Sequence, residues 1–142
     1  MSKIRDAQTG DDYADAAGKH LADAVALFCA GRFDGAAYLS GYVVECALKT
    51  VIFLETGDPH GHLPHISPAA TRLAALPGAR TARYFRVPAA GHPMYGGPSA
   101  WAPGRRYWPP RPNAEAEATA FLQEAVEMYD SMLVPMALDG LV

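Results

Sequence analysis

Apolar residues recur at three- and four-residue steps in three stretches of the chain, and each stretch reads as the inner face of a helix. The first carries Ala14, Ala17, Leu21, Ala24, Val25 and Phe28, with Asp11 or Asp12 as the N-cap and Gly31 as the stop. The second starts near Asp34 and carries Leu39, Tyr42, Val43, Cys46, Thr50, Phe53 and Leu54 on one broad stripe before Gly57 and Pro59 end it. The third follows Asn113, read as its cap, with Glu115 and Glu117 in a first turn where the helix dipole favours carboxylates. Its inner stripe is Ala118, Phe121, Leu122, Ala125, Met128, Tyr129, Met132 and Met136. Ser67-Pro68 reads as a cap and first-turn proline, which predicts a short further helix through Leu73 and Leu76 up to Pro77-Gly78. No stretch alternates as a strand does, and no internal repeat is visible. The predicted fold is all-α, an antiparallel four-helix-type bundle of up-and-down topology.

Helical periodicity is lost between residues 77 and 112, where eight of the twelve prolines and five glycines fall. A loop of that length in a compact domain is usually functional or disordered. Its six aromatics, Tyr84, Phe85, Tyr95, Trp101, Tyr107 and Trp108, argue that it packs on something. At 142 residues the chain is read as one domain, 1–142, large enough to bury a core without disulfides or metal.

Charge divides sharply along the chain. Residues 1–58 hold nine acidic side chains and residues 115–142 hold six, whereas 59–114 hold none and carry Arg72, Arg80, Arg83, Arg86, Arg105, Arg106 and Arg111. Such a middle segment calls for an anionic partner or for docking on the protein's own acidic helices. Arginine interleaved with aromatics suits single-stranded nucleic acid, because bases stack on rings while guanidinium groups hold phosphates. The same residues would equally anchor a long loop, with the arginines facing water or paired to helix acids. Cys29 and Cys46 lie within apolar helical patterns and are expected to be free thiols. Tyr42 to Leu54 is interrupted by Glu45 and Lys49, so no membrane span is expected, and a polar N-terminus without a signal-peptide core makes the cytoplasm the expected location.

Three further features carry chemistry. His60, His62 and His65 are dense enough for zinc, yet Pro59, Gly61 and Pro64 make the backbone irregular and no acidic or cysteine ligand is near, so no metal or other cofactor is expected and His62 is read as tying the turn to a neighbouring helix. Glu45, beside the apolar stripe of the longest helix, needs a partner; Lys49 or a loop arginine, Arg106 above all, would serve, making Glu45 an interhelical tie or part of a polar pocket. Met128, Met132 and Met136 read as core or as a soft contact between subunits. Leu133, Val134, Leu138, Leu141 and Val142 add apolar surface that favours self-association.

The stretch Ala36-Ala37-Tyr38-Leu39-Ser40-Gly41-Tyr42-Val43-Val44-Glu45-Cys46-Ala47-Leu48-Lys49 resembles the second helix of HEPN domains, the higher eukaryote and prokaryote nucleotide-binding bundles. Gly61-His62-Leu63 after this helix, and Trp101 with Arg106-Tyr107 before the last, are further points of similarity. Within the helix, Ala37 and Gly41 lie four apart and would let another helix approach closely, while Glu45 and Lys49 make a favourable i,i+4 pair. The resemblance implies a homodimer, often encoded with a minimal nucleotidyltransferase as in toxin-antitoxin systems, that binds RNA or nucleotide or cleaves RNA.

Nuclease members of that family carry an arginine followed four to six residues later by a histidine near the last core helix. Two partial matches exist. Arg86 and His92 have the spacing but sit in the loop, among Pro88, Gly91 and Pro93; Arg106 has the position, but Asn113 stands where histidine would. Metal-free cleavage needs a group that exchanges a proton near neutral pH and a cation for the phosphorane, and asparagine cannot exchange one. The resemblance therefore makes Arg86 and His92 the catalytic candidates, with metal-independent RNase activity if the chain is an enzyme. Arg83, Trp101, Arg105, Arg106, Tyr107 and Asn113 become the RNA- or nucleotide-binding candidates, supported by Glu45, Lys49 and His62. The alternative is a non-catalytic dimerisation module whose basic loop is a subunit contact.

Overall fold

A computed structural model describes residues 3–58, 66, 80–89 and 91–142. The expected short helix through Leu73 and Leu76, and the histidines at 60, 62 and 65, lie outside the described residues. All regular structure among the described residues is helical. Helix α1 spans Tyr13–Cys29 and α2 Phe33–Thr56; a 3-10 turn covers Pro103–Tyr107; α3 spans Ala114–Met128 and runs through a π turn, Tyr129–Leu133, into α4, Val134–Leu138.

The ends of these helices follow from local chemistry. The Asp12 carboxylate accepts the Asp15 N–H at 3.1 Å and starts α1. Gly31, at φ +73°, turns the chain directly into α2. At the far end Gly57, at φ +72°, donates its N–H to the Phe53 carbonyl at 2.8 Å and stops α2. Asn113 departs from expectation: its side chain caps nothing, and it adopts φ +63°. Asparagine is one of the few side chains that tolerate the left-handed region, and that tolerance is what the turn into α3 uses.

Helix α2 is the spine. Val43, Val44, Ala47, Leu48, Val51 and Ile52 are all buried, and the Ser40 and Thr50 hydroxyls are satisfied by donating to the Ala36 and Cys46 carbonyls, each at 2.8 Å. With a mean hydropathy of 1.4 over its most apolar window, α2 is long and apolar enough to cross a membrane, a length the interruptions at Glu45 and Lys49 do not remove; 72% of that window is buried within the fold. Lys49 sits over the Tyr13 ring, Tyr42 stacks on His20, and Gly35 abuts Leu27, so α2 steps backward as α1 advances and the two are antiparallel. Helix α3 also packs on α2.

Met128, Met132 and Met136 are all completely buried. Four-residue steps creep around an α-helix, and the wider π turn between these methionines takes up that creep. The surplus apolar surface at the C-terminus is smaller than expected. Leu133 is buried and Leu141 and Val142 pack against the core, which leaves Val134 and Leu138 as its exposed members.

Candidate functional site

The described parts of the loop are fastened to the helices by their own arginines and aromatics. Glu55, near the end of α2, receives the Arg80 N–H at 3.1 Å and both the N–H and hydroxyl of Thr81, at 2.6 and 2.5 Å. The Thr81 hydroxyl is the main reason its carboxyl lies below the ordinary range. Tyr84 is buried and donates to Asp139, which also pairs with Arg83 at 3.0 Å. The Trp101 indole N–H donates to the Tyr38 carbonyl at 2.8 Å, and its ring covers Gly41. Gly41 thus admits a loop tryptophan where a second helix was expected. Trp101 is only 4% exposed, so the face assigned to base stacking belongs to the core.

Arg86 and His92 do come together, around Glu124 of α3. Arg86 donates to Glu124 at 2.6 and 3.3 Å and to Glu127 at 2.9 Å, and the Tyr95 hydroxyl donates to Glu124 at 2.6 Å. The His92 ring lies against Tyr95 and Phe121, and its Nδ1 accepts the Met94 N–H at 3.1 Å. Burial raises the Glu124 pKa, but the bonds from Arg86 and Tyr95 outweigh it and hold the carboxyl below its ordinary value. A guanidinium held between two carboxylates is neutralised for binding phosphate, so this cluster is built as a clasp.

A second clasp lies at the start of α3. Arg105 is buried, pairs with Glu117, donates to the Ser99 carbonyl at 3.3 Å, and lies over the Phe121 and Trp108 rings. Arg111 shares Glu117, approaches Asp34 at 3.5 Å, and covers the same Trp108 ring. Arg83, Arg105 and Arg111 therefore all face acids of their own chain. Asn113 is exposed at the helix entry.

Arg83, Arg106, Tyr107 and Asn113 are the exposed residues of this series, and of them Arg106 and Tyr107 set a guanidinium beside a ring with no acid attached. Tyr107 is 77% exposed, the Arg106 guanidinium lies 4.9 Å from its ring centroid, and Arg106 pairs with no acid among the described residues. The neighbouring Tyr107, first, and Tyr38 raise the Arg106 pKa above its ordinary value. Tyr38 bonds Tyr42 through the two hydroxyls at 2.9 Å, and burial followed by that bond pushes the Tyr42 hydroxyl up to about 12. The ring of His20, from α1, stacks on Tyr42 with centroids 5.4 Å apart.

Glu45 closes the inner side of this group. Its Oε1 accepts from Lys49 at 2.7 Å, a bond along one helix and not the expected tie to Arg106, while Oε2 is buried and unpaired. Burial works against the Lys49 charge, but the bond to Glu45 raises its pKa overall. The polar surface therefore runs from Tyr107 and Arg106 through Tyr38 and Tyr42 to His20, with Glu45 and Lys49 beneath. Sequence reading found Arg106, Tyr107, Glu45 and Lys49 and missed His20, Tyr38 and Tyr42. The available signal was position: His20 is three residues after Ala17 and four before Ala24, on the inner stripe of α1, and Tyr38 and Tyr42 are four apart on α2.

Compared with protein-family models, with curated proteins and with solved structures, the chain shows no match.

Proposed function

We propose that this chain is a HEPN-like domain, an antiparallel four-helix-type bundle of up-and-down topology, that binds single-stranded RNA or a nucleotide at the Arg106–Tyr107 surface. The observation that carries the reading is an exposed guanidinium without an acidic partner among the described residues, set beside an exposed ring. A phosphate can take the guanidinium while a base stacks on Tyr107, and neither group must first break an ion pair. In this reading the protein is a cytoplasmic homodimer that needs no cofactor, and it works beside a minimal nucleotidyltransferase in a toxin-antitoxin-type system. Arg86 and His92 do not support the nuclease version, because the cation that would stabilise a phosphorane is held by Glu124 and Glu127.

The rival reading, a dimerisation module without a ligand, draws on four other loop arginines, Arg83, Arg86, Arg105 and Arg111, each paired with an acid of the same chain. The test is the single variant Arg106→Ala, since changing the buried Arg105 as well would disturb the fold. Loss of binding to single-stranded RNA with an unchanged oligomeric state supports the binding reading; a change of oligomeric state, with no RNA binding by either protein, supports the rival.

A further inference from the structure

Two buried polar atoms along the α1–α2 seam lack hydrogen-bond partners, Nδ1 of His20 and Oε2 of Glu45. Glu45 is only 6% exposed, and its charge reaches the imidazole. An unpaired buried polar atom costs about 1–3 kcal/mol, so two of them along one seam call for a reason. The half-buried His20 ring stacks on Tyr42 and buries Nδ1, whereas Nε2 is not among the buried unpaired atoms and is the nitrogen open to a ligand. No hydrogen bond or ion pair joins His20 to Glu45, so the carboxylate acts on the imidazole through its charge, which favours the doubly protonated ring and makes it a cationic donor.

We infer that His20, backed by Glu45, is a proton-dependent contact for a phosphodiester at the edge of the Arg106 surface. This rests on the binding reading above and adds to it a second anion contact and a regulator, pH. The groups around His20 are Lys19 and Asp23 on its own helix and Tyr42 and Glu45 on α2, with Arg106 beyond Tyr42. Burial first, and then Lys19, hold the imidazole below its ordinary pKa, against the pull of Asp23 and Glu45. The free ring is therefore neutral at neutral pH. A bound phosphodiester adds the missing negative charge, so binding takes up a proton at Nε2 and affinity rises as pH falls. Lys49 holds the other Glu45 oxygen, which fixes the carboxylate and leaves Oε2 unpaired on the seam.

The experiment titrates the full chain with a short oligouridylate RNA, whose diesters and bases keep their charge between pH 5.5 and 7.5, and follows anisotropy across that range. Wild-type affinity is expected to rise roughly tenfold on acidification, approaching one proton taken up per RNA. His20→Gln is expected to bind with nearly the same affinity at pH 5.5 as at pH 7.5, having lost the rise. Glu45→Gln is expected to diminish it. A proton NMR titration of wild type, with the His20 resonance assigned by its absence in His20→Gln, should show an imidazole pKa that RNA raises; this measurement stands even if a variant folds poorly. Binding that depends on Arg106 but not on pH, or a pH rise that persists in His20→Gln, overturns the inference and leaves the binding reading intact. No binding by wild type at any pH overturns both.

Discussion

The Trp101 indole occupies the space that a side chain at Gly41 would fill, so the loop is keyed into the longest helix at a single glycine. Gly41→Ala adds a methyl group that overlaps the indole and threatens its bond to the Tyr38 carbonyl. Helix propensity favours alanine by about 1 kcal/mol, but overpacking costs roughly 1–3 kcal/mol and loss of the buried hydrogen bond about 1 more. A net loss of about 1–3 kcal/mol in urea unfolding is expected, with far-ultraviolet circular dichroism retained. A variant as stable as wild type would show that the indole is not seated there.

Glu117 serves two arginines, and this makes its removal worse than that of either partner. Glu117→Ala leaves the buried Arg105 charge unpaired, a loss of about 3–5 kcal/mol, whereas Arg105→Ala leaves Glu117 still paired with Arg111 and should cost about 1–3 kcal/mol. Chemical denaturation of both variants checks the order.

The Glu124 clasp gives the fold an acid limb. Its carboxyl titrates below the ordinary 4.5 in the folded protein, since the bonds from Arg86 and Tyr95 outweigh burial. A depressed carboxyl pKa contributes stability that is fully present above the unfolded value and is lost as pH falls through the folded one. Melting temperature should therefore drop steeply below about pH 4.5, and Arg86→Ala should flatten that drop while lowering stability at pH 7. In Arg86→Ala, limited proteolysis should cut the loop between residues 80 and 100 faster than in wild type.

The helices could be read from the sequence because their signals are local: the inner stripes, the Asp12 cap, and the glycines at 31 and 57 all lie within a turn of what they govern. The destinations of the loop side chains could not. Arg86 meets Glu124, Arg111 meets Asp34 and Trp101 meets Gly41 across long sequence separations, and periodicity carries no information about such pairings. The charge division pointed correctly to two outcomes, an external anion or internal acids, without choosing. Paired arginines at 83, 86, 105 and 111 realise the internal one, and Arg80 and Arg106 are left exposed without an acidic ion-pair partner among the described residues. His20 was hidden because a histidine on an inner stripe looks like core until its neighbours on the next helix are known.

Tyr107 should matter to ligand binding and little to stability. Its ring is 77% exposed, so Tyr107→Ala should change unfolding by less than about 0.5 kcal/mol. The same change should weaken single-stranded RNA binding by about 1–3 kcal/mol through the lost stacking platform. Parallel unfolding and anisotropy titrations separate the two effects.

The most direct measurement is the binding of a fluorescent single-stranded RNA to wild type and Arg106→Ala across a series of salt concentrations at pH 7.5. Wild type should bind in a salt-sensitive way, with a log–log salt slope shallower by about 0.7 in Arg106→Ala, the amount expected for one lost phosphate contact to a single strand. Equal affinity and equal slope in the two proteins would contradict the binding reading.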